Sequence, residues 1–141
     1  MDAAIKARFA AMENDPILRR KRDARELRNR FDIGYVDQEQ YPRVMRLLKQ
    51  VAAEKRIRPE DVAWLSTEAP DCWTEKLQQA WHRLEALALS EEWERTGDVW
   101  AVVTASGHWR KANEPEKALD ITDAAFSHSG ISGKPRSALS T

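Results

Sequence analysis

Residues 98–126, DVWAVVTASGHWRKANEPEKALDITDAAF, admit few folds. Asp98 stands before a run of apolar and small residues, where its carboxylate can accept an amide hydrogen bond from the first turn of a helix. Val99, Trp100, Val103, Gly107 and Trp109 supply a bulky stripe, with Ala101, Ala105 and Ala112 between them. Small side chains let a neighbouring helix approach closely. Arg110 and Lys111 fall in the last turn, where the helix dipole favours positive charge. Asn113 suits the left-handed residue that ends a helix, and Pro115 suits the first position of the next one, where no amide hydrogen is needed. The second helix carries Ala118, Leu119, Ile121, Thr122, Ala125 and Phe126, and the turn residues 127–133 (SHSGISG) close it. The stretch is two helices joined by a tight turn.

The chain before it is also helical in pattern. Ile5, Phe9 and Met12 mark one side of a short helix over Asp2 to Glu13. Asp15 caps and Pro16 opens a second helix, Ile17 to Arg30, whose apolar residues form only a thin stripe in an arginine-rich surface. Gly34 marks Phe31 to Val36 as a loop. Asp37, with Gln40 three residues on, has the form of a capping box. Val44, Leu47, Leu48 and Val51 then give a regular apolar face. Pro59 starts a short helix with Val62, Trp64 and Leu65. Asp71 is placed to cap a long helix, about Cys72 to Arg95, with Trp73, Leu77, Ala80, Trp81, Leu84, Leu87, Ala88 and Trp93 on a broad stripe. Thr96-Gly97 ends that helix. The expected fold is all-α, an antiparallel bundle or array of about seven helices. A basic segment, residues 1–36, precedes a repeat-like unit, residues 37–141.

The terminal hairpin resembles a tetratricopeptide repeat, a unit of about 34 residues made of two antiparallel helices. With Ala118 on the family's small residue early in the second helix, Trp109 takes the aromatic position of the first helix. Ser106 takes the small position of the first helix, Ala125 the second small position of the second, Phe126 the large residue after it, and Asn113 the turn. Val102 replaces the usual early aromatic and Gly130 the usual proline. One period on, Leu139 and Ser140 fall on the opening residues of a next helix, while one period back Glu75 and Leu84 break the register. The resemblance covers residues 99–130 and a stub. It implies a stacking scaffold whose first-helix residues line a partner groove, here His108, Arg110 and Lys111, exposed beside a buried Trp109. With Pro135 at a helix start and less than two turns after it, the chain is expected to continue past Thr141.

Charge constrains the partner only locally. The 141 residues balance at 23 basic against 23 acidic, but residues 1–60 hold 15 basic and 10 acidic groups, and residues 61–141 hold 8 and 13. Arg19, Arg20, Arg22, Arg25 and Arg28 make the basic helix a candidate nucleic-acid surface, since each phosphate neutralised adds salt-dependent affinity. No aromatic interleaves them for base stacking. Asp23 and Glu26 can instead pair with arginines three and four residues away, and such a face also suits an acidic protein.

Chemistry is hard to find. His82, His108 and His128 form no H-E-x-x-H or E-x-x-H pattern, and His82 with Glu85 makes one isolated pair, so no metal or cofactor is expected. The single cysteine, Cys72, excludes an internal disulfide. It would sit near a helix start, about 15 Å along the helix from His82, too far for that base to activate it. Glu91, Glu92 and Glu94 fit a solvated helix face. Met1 to Ala11 lacks an apolar signal core, and no apolar run is long enough to span a bilayer. The expectation is a cytoplasmic, non-catalytic interaction module for a protein partner. The alternative is a small helical nucleic-acid-binding subunit of a larger complex.

Overall fold

In a computed structural model, residues 15–128 are described. The helix expected over Asp2 to Glu13, the turn at Gly130 and Gly133, and the helix start at Pro135 to Leu139 lie outside them. Six helices occupy the described residues: α1 (Pro16–Arg30), α2 (Tyr41–Ala52), α3 (Pro59–Glu68), α4 (Glu75–Thr96), α5 (Val99–Lys111) and α6 (Pro115–His128). No strand occurs among these residues.

Local chemistry sets the boundaries. Asp15 Oδ1 accepts the Ile17 amide at 2.9 Å, and Pro16 opens α1. Residues 31–36 are a loop, yet Phe31, Ile33 and Val36 are buried, so the loop is part of the core. The helix expected to start at Asp37 starts four residues later. Asp37 Oδ1 takes the Glu39 amide at 3.0 Å and its carbonyl takes the Gln40 amide, which closes a turn first. Pro42 then sits in the first turn of α2, where its missing N–H costs nothing. The long helix likewise begins at Glu75, not Cys72. Thr74 Oγ1 accepts the Leu77 amide at 3.3 Å and donates to the Phe31 carbonyl, capping α4 and tying it to the loop in one contact. Downstream, the expected punctuation is present. Gly97 has φ 74°, Asp98 Oδ1 accepts the Trp100 amide at 3.0 Å, Asn113 has φ 63°, and Pro115 opens α6.

Two apolar cores form, and α4 belongs to both. The first gathers the 31–36 loop, Val44, Met45, Leu47, Leu48 and Val51 of α2, Leu65 of α3, and Leu77 and Leu84 of α4. The second joins Ala86 of α4 to Val102, Ala105 and Trp109 of α5 and Ala118, Ile121 and Ala125 of α6. The second core is made largely of small residues because α5 is pressed by α4 on one side and α6 on the other. That crowding corrects the expected stripe. The buried face of α5 is Ala101, Val102, Ala105, Ser106 and Trp109, while Trp100 faces outward, 69% exposed. Leu119 and Phe126 of α6 are 60% and 37% exposed, about 100° round the helix from Ala118 and Ala125.

Candidate functional site

At 100° per residue, Trp100, Thr104, Gly107 and Lys111 fall within one narrow stripe of α5, opposite its buried face. Trp100, Thr104 and Lys111 are exposed, as is Arg110 at the edge of the stripe. A Cβ built on Gly107 would meet nothing within 4 Å, so the surface there is open. Arg110 and Lys111 therefore sit on an accessible face. His108 does not. It is half-buried and turned against α4, where its Nδ1 lies 2.9 Å from His82 Nδ1. The correction follows from helix geometry: residue 108 falls about 20° from buried Ala101, on the flank that meets α4, and Arg110 falls on the opposite flank.

The two imidazoles sit at the junction of the two cores. Trp81 packs on both, with ring centroids 4.6 Å from His82 and 5.7 Å from His108, and Trp73 lies 5.9 Å beyond Trp81. A bond between two Nδ1 atoms requires one ring to donate and the other to accept, so at least one imidazole is neutral. Burial pushes His82 below its ordinary value near 6.5, and His108 and Lys111 add to this, while Glu85 opposes it. Burial also lowers His108; Glu85 opposes, and Lys111 and Arg56 act with burial. Glu85 is itself held by Arg56, whose Nε donates to Oε1 at 3.0 Å and whose Nη2 donates to Oε2. The guanidinium pKa is raised chiefly by that hydrogen bond.

The sign of the linkage follows. Both rings bind a proton more weakly in the folded chain than in the unfolded one, so their contribution to stability is complete above the ordinary histidine value. It is lost as pH falls through that value toward the lower folded one. Thermal unfolding followed between about pH 7.5 and about pH 5 should show this fall, and His82→Gln with His108→Gln should flatten it. An unchanged pH slope in the double variant would contradict the assignment.

The Glu85 carboxylate of the cluster is engaged by Arg56. Cys72 is buried in the first core, outside any helix start, and burial with Asp71 nearby raises its thiol pKa. Among the described residues, no group of three or more His, Cys, Asp or Glu side chains could hold a metal ion. No described helix is long and apolar enough to cross a membrane.

The basic helix is the second accessible surface. No residue of α1 is fully buried; Ala24, Leu27 and Arg28 are half-buried, and Arg19, Arg20, Arg22 and Arg25 are exposed. The pairing expected three and four residues apart is not made. The one ion pair within α1 among the described residues joins neighbours, Arg22 Nε and Asp23 Oδ1 at 3.8 Å. Arg28 is drawn inward and Arg20 lines a hollow between α1 and α2, so the five arginines do not share one face.

Three features escaped the sequence. The His82–His108 contact joins residues 26 apart, beyond any local spacing rule. Asp61 stands in the first turn of α3, a common place for a solvated acid. In the fold it is buried and receives Arg43 Nη2 at 3.0 Å, with Arg46 at 3.9 Å. Trp100, expected on the packed stripe for its size, lies at an angle opposite the buried face.

Comparison of the chain with protein-family models, with curated proteins and with solved structures found no match.

Proposed function

We propose that this chain is a non-catalytic protein-interaction module, in which α5 and α6 form an antiparallel, tetratricopeptide-like hairpin stacked on α4. The outer stripe of α5 is its contact face. The observation that carries this reading is Trp100. Trp100 is 69% exposed on a helix whose opposite face is closely packed, and it shares its outer stripe with Lys111. Exposed aromatic and arginine side chains are the residue types that dominate partner binding when a partner covers them. Trp100 at one end and Arg110 and Lys111 at the other frame the open surface at Gly107, a shape suited to a chain lying along the helix. His108 supports this face from behind, through His82.

The test is affinity capture with the immobilised protein, followed by mass spectrometry, using wild type, Trp100→Ala and Arg110→Glu. Both substitutions lie on exposed positions, so helicity by circular dichroism should not change. A partner held by this face should be lost or weakened by roughly 30-fold with Trp100→Ala, the size of a strong anchor residue. Recovery of the same partners in equal amount by both variants would remove the reading.

A further inference from the structure

We propose that the groove between α1 and α2 holds an acidic amphipathic helix of a partner protein. The proposal rests on the reading of this chain as a binding module and gives that module a second contact of defined chemistry. The groove opens between α1 and α2 as a hollow of about 670 Å³ and continues along α2 as one of about 680 Å³, the two sharing Tyr41, Met45 and Lys49 of α2. Leu27 of α1 lines the first hollow, and Met45, itself buried, underlies both. The rim carries more cations than acids, with Asp23 and Glu26 as the acids of the first hollow. Arg20 and Arg30 stand on the α1 side, Lys49 between the hollows, and Lys55 beyond α2. All four are exposed, and none has a carboxylate within ion-pair distance among the described residues.

An apolar floor with a charged rim is the form of a helix-in-groove site. From Arg20 to Arg30 the wall runs about 15 Å, room for roughly ten residues of helix. The charge on the rim selects an acidic occupant, and the floor selects one that carries an apolar stripe. A nucleic acid fits less well. Its phosphates are continuous, and Asp23 and Glu26 line the first hollow, where they would repel them. A peptide helix can place its carboxylates opposite Lys49 and Lys55, in the second hollow, which no acidic residue lines.

The probe is a fluorescein-labelled peptide of about 15 residues, with leucines along one helical face, glutamates on the flank that meets Lys49 and Lys55, and neutral residues elsewhere. Fluorescence anisotropy at low salt should show binding that weakens as salt is added, because the rim is exposed. The same residues in scrambled order, and a version with lysine for glutamate, should bind at least about tenfold more weakly. Lys49→Glu combined with Lys55→Glu, both at exposed positions, should weaken the peptide by about tenfold or more without changing the circular dichroism spectrum. Trp100→Ala should leave it unchanged, so failure here and failure of the α5 face are read separately. The proposal is overturned if the amphipathic peptide does not bind at low salt, if the scrambled peptide binds as well, or if the lysine-to-glutamate variant binds it equally. It is also overturned if a labelled single-stranded DNA binds, loses that binding in the same variant, and the peptide does not bind.

Discussion

Trp109→Ala should destabilise the protein by about 3–5 kcal/mol, which is a large share of the 5–15 kcal/mol typical of a folded domain. Trp109 is the largest side chain of the second core and is almost fully buried. Its indole lies among Val102, Ala105, Ala118 and Ile121, most of them too small to move into the space left behind. Its Nε1 donates to Ser90 Oγ of α4 at 3.3 Å, and Lys117 Nζ of α6 lies 4.9 Å from its ring centroid. One side chain thus joins three helices. Chemical denaturation gives the loss directly. Amide exchange should show where it falls: protection in α5 and α6 should drop far more than in α2 and α3, which pack in the other core. Trp109→Phe keeps most of the apolar area and gives up the hydrogen bond to Ser90. Ser90 still donates to the Ala86 carbonyl at 2.7 Å, so the phenylalanine variant should lose much less. A loss below about 1 kcal/mol for the alanine variant would mean that the second core does not depend on this ring.

The sequence is most informative where a residue acts on its own backbone. Asp15, Asp98, Gly97, Asn113 and Pro115 each act within two or three residues, and each is found in its expected role. Prediction failed where the competitor was also local. Asp37 was taken by a turn before it could cap a helix, and Thr74 displaced Asp71 because it can also reach the Phe31 carbonyl, 43 residues away. That second partner is tertiary and leaves no local mark. The α5 face shows the same limit. Residue size alone points to Trp100, but the packed face is set by how close α4 and α6 come, and close approach selects alanine and valine. Of the candidate site, Arg110 and Lys111 are as exposed as expected. His108 is not, because its partner, His82, lies on another helix. The groove between α1 and α2 was not foreseeable at all, since its cations come from two helices and a loop.

Leu65→Ala should cost about 2–5 kcal/mol, at the other end of α4. Leu65 is fully buried, and α3 has only ten residues, too few to persist as a helix in water without tertiary support. What holds α3 is Leu65 in the first core with Val62 and Trp64 packed against it, the Arg43–Asp61 pair, and the bond from Gln40 Nε2 to the Glu68 carbonyl at 2.6 Å. Removing the leucine leaves Asp61 buried on a helix anchored only by the half-buried Val62 and Trp64. The amides of α3 should then exchange ahead of those in α5 and α6, the reverse of the Trp109→Ala pattern. Leu65→Met, which nearly conserves volume, should cost less than about 1.5 kcal/mol. Combining Leu65→Ala with Trp109→Ala tests how the two halves communicate. The sites belong to separate clusters and share no packed neighbour, so their losses should add to within about 0.5 kcal/mol. The one element common to both is α4, which sends Leu77 and Leu84 to one core and Ala86 to the other. An interaction energy well above that limit, measured by denaturation of the four proteins in the cycle, would mean that α4 shifts as a unit and carries strain between the cores. Additivity would mean that it serves each core as a fixed wall.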